Sequence, residues 1–143
     1  MQAVQDCSSA GGHAPELRVV LVEDHAGYRE QLRELIQALD CVSVVHTADS
    51  EQAATNWLAG NAGSWDVLVL DIFLPDGHGF KVLRACADRS PHQRAVFLTS
   101  YTRPPAEDQA LTLGADAVFG KTQVGQFLTY LAQERDLRLA TLQ

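Results

Sequence analysis

Cysteine is scarce in this chain, methionine occurs once, aromatic residues make up 7% of it, and basic residues are outnumbered. Each shortage excludes something. Lys and Arg total 11 against 18 Asp and Glu, a net charge of −7, so neither nucleic acid nor an anionic membrane surface is expected as a direct partner. No apolar run approaches the ~18 residues that a membrane span requires. The opening MQAVQDCSSAGGHAPE has no basic start and no apolar centre, so residues 1–16 read as a flexible tail rather than a signal peptide. Cys7, Cys41 and Cys86 lie far apart with no C-x-x-C pair. They read as small apolar fillers and one tail thiol, which suits a reducing, cytoplasmic location. His13, His25, His46, His78 and His92 show no metal-ligand spacing and read as surface residues.

What is present is an alternation. Five short apolar runs recur: RVVLVED (18–24), VSVVHT (42–47), WDVLVLD (65–71), RAVFLTS (94–100) and ADAVFGK (115–121). Each is too short for a helix and rich in strand formers. Helical periodicity fills the intervals. Tyr28, Leu32, Leu35, Ile36 and Leu39 form one apolar stripe, and Ala53, Ala54, Trp57 and Leu58 form another, with Asp49 and Gln52 spaced as a capping box. Val82, Leu83 and Cys86 mark a third helix. A fourth follows Pro104-Pro105 and closes at Gly114, and a fifth carries Val124, Phe127, Leu128 and Leu131. Strict β-α alternation with doubly apolar strands predicts a doubly wound α/β fold, a five-stranded parallel sheet with helices on both faces. Right-handed crossovers put every strand's C-terminal end on one edge, where such sheets bind ligands. After Lys121 only 22 residues remain, too few for a further domain.

That edge collects chemistry. The first strand delivers Glu23 and Asp24, the third Asp71, the fourth Thr99 and Ser100, and the fifth Lys121. Taken singly, each has a plain structural explanation: an acid after a strand caps the next helix, and a lysine is solvated. Together they do not, because three converging carboxylates repel unless a counter-charge joins them. Hard oxygen ligands in that number suit Mg²⁺, which takes one or two carboxylates and a phosphate oxygen. Asp71 then reads as a nucleophile, with the lysine and the hydroxyl placed for phosphoryl oxygens.

With these residues in place the sequence resembles the receiver domains of two-component response regulators. The resemblance covers about residues 17–135 and is carried by LVEDH, LVLDIFLPDGHG, VFLTS and GADAVFGK. It implies the flavodoxin-like strand order 2-1-3-4-5. It also implies that Asp71 is the phosphoacceptor, that Glu23, Asp24, Asp71 and the main-chain carbonyl of Phe73 hold Mg²⁺, and that Thr99 and Lys121 bind phosphoryl oxygens. The implied phosphodonor is a sensor histidine kinase or a histidine phosphotransfer protein, and the implied output is a changed protein-binding surface. The expected organisation is a tail (1–16), a receiver domain (17–135) and an extension of the last helix (136–143), standing alone with no DNA-binding output domain and no enzymatic activity beyond its own phosphorylation and dephosphorylation.

Three positions depart from the family pattern. Val118 stands where an aromatic switch residue is usual, and Tyr101 is the candidate substitute. Thr122 replaces a proline, so a trans Lys121–Thr122 bond is expected. Leu74 replaces a methionine. Three alternatives stay open: a phosphorelay intermediate, a phosphorylation-independent binding module, and, least favoured, a phosphohydrolase of the haloacid-dehalogenase type. The last wants a second acid two residues past the nucleophile, where this chain has Phe73. The output partner and a dimer formed on phosphorylation are also open. Tyr130 and Leu137, seven apart on the last helix, mark a candidate docking stripe.

Overall fold

The computed structural model describes residues 16–140. Five strands and five helices alternate: β1 (Leu17–Val22), α1 (Ala26–Gln37), β2 (Val42–Ala48), α2 (Glu51–Gly60), β3 (Val67–Leu70), α3 (Gly79–Ala85), β4 (Arg94–Thr99), α4 (Pro104–Thr112), β5 (Ala117–Gly120) and α5 (Val124–Ala140). All pairings in the main sheet are parallel and the strand order is 2-1-3-4-5, as the alternation and the resemblance together imply. A two-residue antiparallel hairpin, Phe73–Leu74 against Gly77–His78, interrupts the β3–α3 connection.

Period-2 side-chain alternation splits the core into two layers. Val20, Val22, Leu68 and Leu70 face the side covered by Ala54 and Leu58 of α2, Val82 and Leu83 of α3, and Ala106 and Ala110 of α4. Val19, Leu21, Val67 and Val69 face the other side, covered by Leu32 and Ile36 of α1 and by Phe127 and Leu131 of α5. Every residue of β3 is buried, which explains why its sequence is continuously apolar.

Several local expectations are revised. The cap of α2 is Ser50, whose Oγ accepts from the Ala53 N–H at 3.0 Å, because β2 extends to Ala48 and pushes the helix start past Asp49. A second cap comes from far along the chain: the Asp76 carboxylate accepts from the N–H groups of Glu51 and Gln52 at 2.8 and 3.0 Å. Cys86 is a buried free thiol, as a filler should be. Cys41 is disulfide-bonded, so the filler reading does not hold for it. It lies on the α1–β2 turn at φ +63°, at the rim of the core. Cys7 and His13 fall outside the described residues, as does all of the expected tail except Glu16.

The expected stripe on α5 divides. Tyr130 packs edge-on against Phe119, ring centroids 5.6 Å apart, and burial, with Glu134 nearby, pushes its phenol up to about 12. Leu137 is 61% exposed. The two lie on nearly the same side of the helix, but β5 covers Tyr130 through Phe119 and does not reach Leu137, two turns further on. Among the described residues all peptide bonds are trans, Lys121–Thr122 included. No helix of the described residues is long and apolar enough to cross a membrane.

Candidate functional site

Glu23 leaves β1 with its N–H on the Ala48 carbonyl at 2.9 Å, and Asp71 leaves β3 with its N–H on the Val22 carbonyl at 3.3 Å. Adjacent parallel strands therefore set these two acids side by side. Glu23 is 2% and Asp71 6% exposed, whereas Asp24 faces solvent. One oxygen from each of Glu23, Asp24 and Asp71 can be chosen so that all lie within 4.8 Å of one another. This cluster of hard anionic oxygens fits the donor preference of Mg²⁺.

Lys121 follows β5, and its Nζ reaches back to Glu23 Oε1 and Asp71 Oδ2, both at 2.9 Å. Gly120 N–H donates to Gln123 Oε1 at 2.9 Å, fixing the turn that aims the lysine. Burial on its own would lower the Lys121 pKa, but the hydrogen bonds to Glu23 and Asp71 outweigh it and the net shift is upward. Burial raises the Glu23 pKa; the Lys121 and His25 N–H bonds only partly oppose that. The lysine is thus the counter-charge that converging acids require.

Thr99 ends β4, fully buried, and its Oγ1 accepts from the Tyr101 N–H at 3.1 Å. Phe97 pairs with Leu70, so β4 runs on past the end of β3 and carries Thr99 to the same edge. Phe73 lies on the hairpin, its ring 58% exposed and edge-on to Tyr101 at 5.5 Å between centroids. The structure gathers Glu23, Asp24, Asp71 and Lys121 into one cluster, with Thr99 on the neighbouring strand end. Val118 packs against the α2–α4 side of the sheet, while Phe119 faces the α5 side. Strand alternation therefore prevents Phe119 from standing in for the missing aromatic.

Two contributors are not apparent from the sequence. Gly79 donates its N–H to the Ile72 carbonyl at 2.7 Å, and a Cβ there would lie 2.2 Å from the Asp71 carbonyl oxygen. Tyr28, by periodicity only the start of a core stripe, places its ring centroid 4.5 Å from Lys121 Nζ. A second glycine closing the PDGHG loop is the available signal for the first; the second has none.

The sequence model of the response regulator receiver domain matches residues 19–131. The chain belongs to this family. Such domains are the phosphoacceptor modules of two-component systems, and Mg²⁺ binding is general among them. Among similar proteins, the DNA-binding transcriptional activator DevR/DosR of Mycobacterium tuberculosis is 37% identical over 112 residues, covering 78% of this chain and 51% of that protein. The chain thus spans about half the length of the curated relatives it matches. Among solved structures, the receiver domain of the putative response regulator NarL from M. tuberculosis superposes with a TM-score of 0.67 at 28% identity, covering 75% of this receiver chain and 85% of that chain. CheY6 from R. sphaeroides, solved in complex with the P1 domain of CheA3, gives a TM-score of 0.67 at 25% identity, covering 83% and 98%.

Proposed function

We propose that this receiver takes a phosphoryl group onto Asp71 from the phosphohistidine of a sensor kinase or histidine phosphotransfer protein. The observation that carries the reading is the Lys121 ammonium held 2.9 Å from both Asp71 and Glu23 at the C-terminal edge of the sheet. An Asp71 carboxylate oxygen attacks phosphorus, the bond to the donor imidazole nitrogen breaks, and an aspartyl phosphate and a free histidine result. Lys121 and the Thr99 hydroxyl bind oxygens of the transferred group, so the chain contributes positioning and charge stabilisation around the one bond that Asp71 forms. Glu23, Asp24, Asp71 and the Phe73 carbonyl would hold Mg²⁺, which when bound supplies further positive charge opposite the phosphoryl oxygens. The CheA3–CheY6 complex supports a phosphotransfer domain as the partner class.

The consequence is a change of binding surface. Thr99 Oγ1 is tied to the Tyr101 N–H, so recruiting that hydroxyl to a phosphoryl oxygen draws on the β4–α4 loop directly. We assign Tyr101, rather than the Val118 position, as the aromatic that reports the state of the site to an output protein. A cytoplasmic location, which rests on family membership and not on the cysteines since Cys41 is disulfide-bonded, and dimerisation on phosphorylation belong to the same proposal. A second reading, a binding module indifferent to phosphorylation, is favoured only by Val118, whose β-branched side chain has few χ1 options.

Incubation with Mg²⁺ and acetyl phosphate should add the mass of one phosphoryl group to the wild type, and Asp71→Asn should show none. Retention of the adduct in Asp71→Asn would overturn the assignment, and an unlabelled wild type would favour the second reading. Mg²⁺ should also raise the Tm by mass action, and Asp24→Ala, an exposed change that leaves the core intact, should remove most of the rise. A full Mg²⁺ response in Asp24→Ala would exclude Asp24 as a ligand.

A further inference from the structure

We infer that Tyr28 is a positioning residue for Lys121, confining its ammonium group to the acidic cluster by backing it with an aromatic face. Lys121 Nζ hydrogen-bonds to Glu23 and Asp71 at 2.9 Å each, while the Tyr28 ring centroid stands 4.5 Å from the same nitrogen. An ammonium carries three donors and no acceptor. Two carboxylates account for two of them, and the electron-rich face of the ring attracts the remaining positive charge.

The ring is itself held in place. His25 Nδ1 accepts from the Tyr28 N–H at 3.1 Å, and the His25 N–H donates to Glu23 Oε2 at 3.0 Å. Arg29, next to Tyr28, donates to the Glu23 carbonyl at 2.8 Å. The first turn of α1 is thereby laced to the acid that Lys121 contacts. The Tyr28 hydroxyl is buried and makes no hydrogen bond among the described residues. The working part is therefore the ring and not the phenol, which is why phenylalanine should substitute and an aliphatic residue should not. Its effect on phosphorylation rests on the phosphoacceptor reading above. The contact with Lys121 does not.

Two measurements on wild type, Tyr28→Phe and Tyr28→Leu separate these. In NMR spectra, the Lys121 methylene protons next to Nζ should lie upfield of their random-coil position in wild type and Tyr28→Phe, through the ring current, and return toward it in Tyr28→Leu. With Mg²⁺ and acetyl phosphate, Tyr28→Phe should be phosphorylated at about the wild-type rate and Tyr28→Leu about five-fold more slowly. Wild-type Lys121 protons at their random-coil position would overturn the proposal. So would a Tyr28→Leu variant as fast as wild type, or a Tyr28→Phe variant as slow as Tyr28→Leu. A wild type that takes up no phosphoryl group sinks the phosphoacceptor reading, and the ring-current measurement still decides whether Tyr28 holds Lys121.

Discussion

Lys121→Met should lower the unfolding free energy by about 1–3 kcal/mol at neutral pH in buffer free of divalent cations. Removing one partner of a fully buried ion pair costs more than this. Here the lysine side chain is 20% exposed while the Glu23 and Asp71 side chains are 3% and 8% exposed, so solvent screening and proton uptake moderate the loss. The deficit has a predictable pH dependence. Burial holds the Glu23 pKa above its ordinary 4.5, so the stability linked to its neutral form is fully present below that value and is lost as pH rises through the raised one. Lys121, raised above 10.5, keeps its contribution up to that pH and loses it only as pH rises through the folded-state pKa. The variant should therefore match the wild type most closely near pH 4.5 and fall behind toward neutrality. Mg²⁺ stabilises both proteins by mass action, but in the variant no ammonium competes for Glu23 and Asp71, so the variant should bind the ion more tightly and a saturating concentration should narrow the difference. Urea denaturation of both proteins, with and without Mg²⁺, measures it. A deficit that ignores both pH and Mg²⁺ would mean that Lys121 is not the counter-charge.

Gly79→Ala should cost about 3 kcal/mol and impair phosphorylation along with stability. An added Cβ would sit 2.2 Å from the Asp71 carbonyl oxygen and 2.8 Å from the Phe97 ring. The first obstacle is main chain and the second is a core aromatic, so neither can yield without moving the acceptor's own backbone. Gly77→Ala is the control two residues away. There the added Cβ meets Glu51 Oε1, at 1.8 Å, which is the far end of a side chain that can swing aside. The loss is then mainly the hydrogen bond from His78 N–H to that oxygen, about 1 kcal/mol. Denaturation of the two variants should rank Gly79→Ala well below Gly77→Ala, and equal stabilities would refute the steric account.

Much of the fold and of the site is legible in the amino-acid sequence. The five apolar runs and the helical stripes between them define the strands and helices because side-chain period is a property of the chain itself. Right-handed parallel crossovers then leave no freedom over which edge receives the strand ends. Glu23, Asp24, Asp71, Thr99 and Lys121 consequently share an edge by sequence order alone, and the alternation along β5 already separates Val118 from Phe119.

What only the tertiary structure decided is contact across long sequence distances, for which periodicity carries no signal. Asp76 caps a helix that begins 25 residues earlier, and Ser50, not Asp49, supplies the local cap because pairing extends β2 to Ala48. Tyr130 and Leu137 part company because β5 covers one and nothing covers the other among the described residues. Gly79 is required by the separation between one helix start and the Asp71 carbonyl. Tyr28 satisfies the apolar stripe of α1 whether or not its ring meets a cation. Only the folded chain brings Lys121 Nζ to 4.5 Å from the ring's centroid, because distances between elements are set by the packed side chains of the whole core.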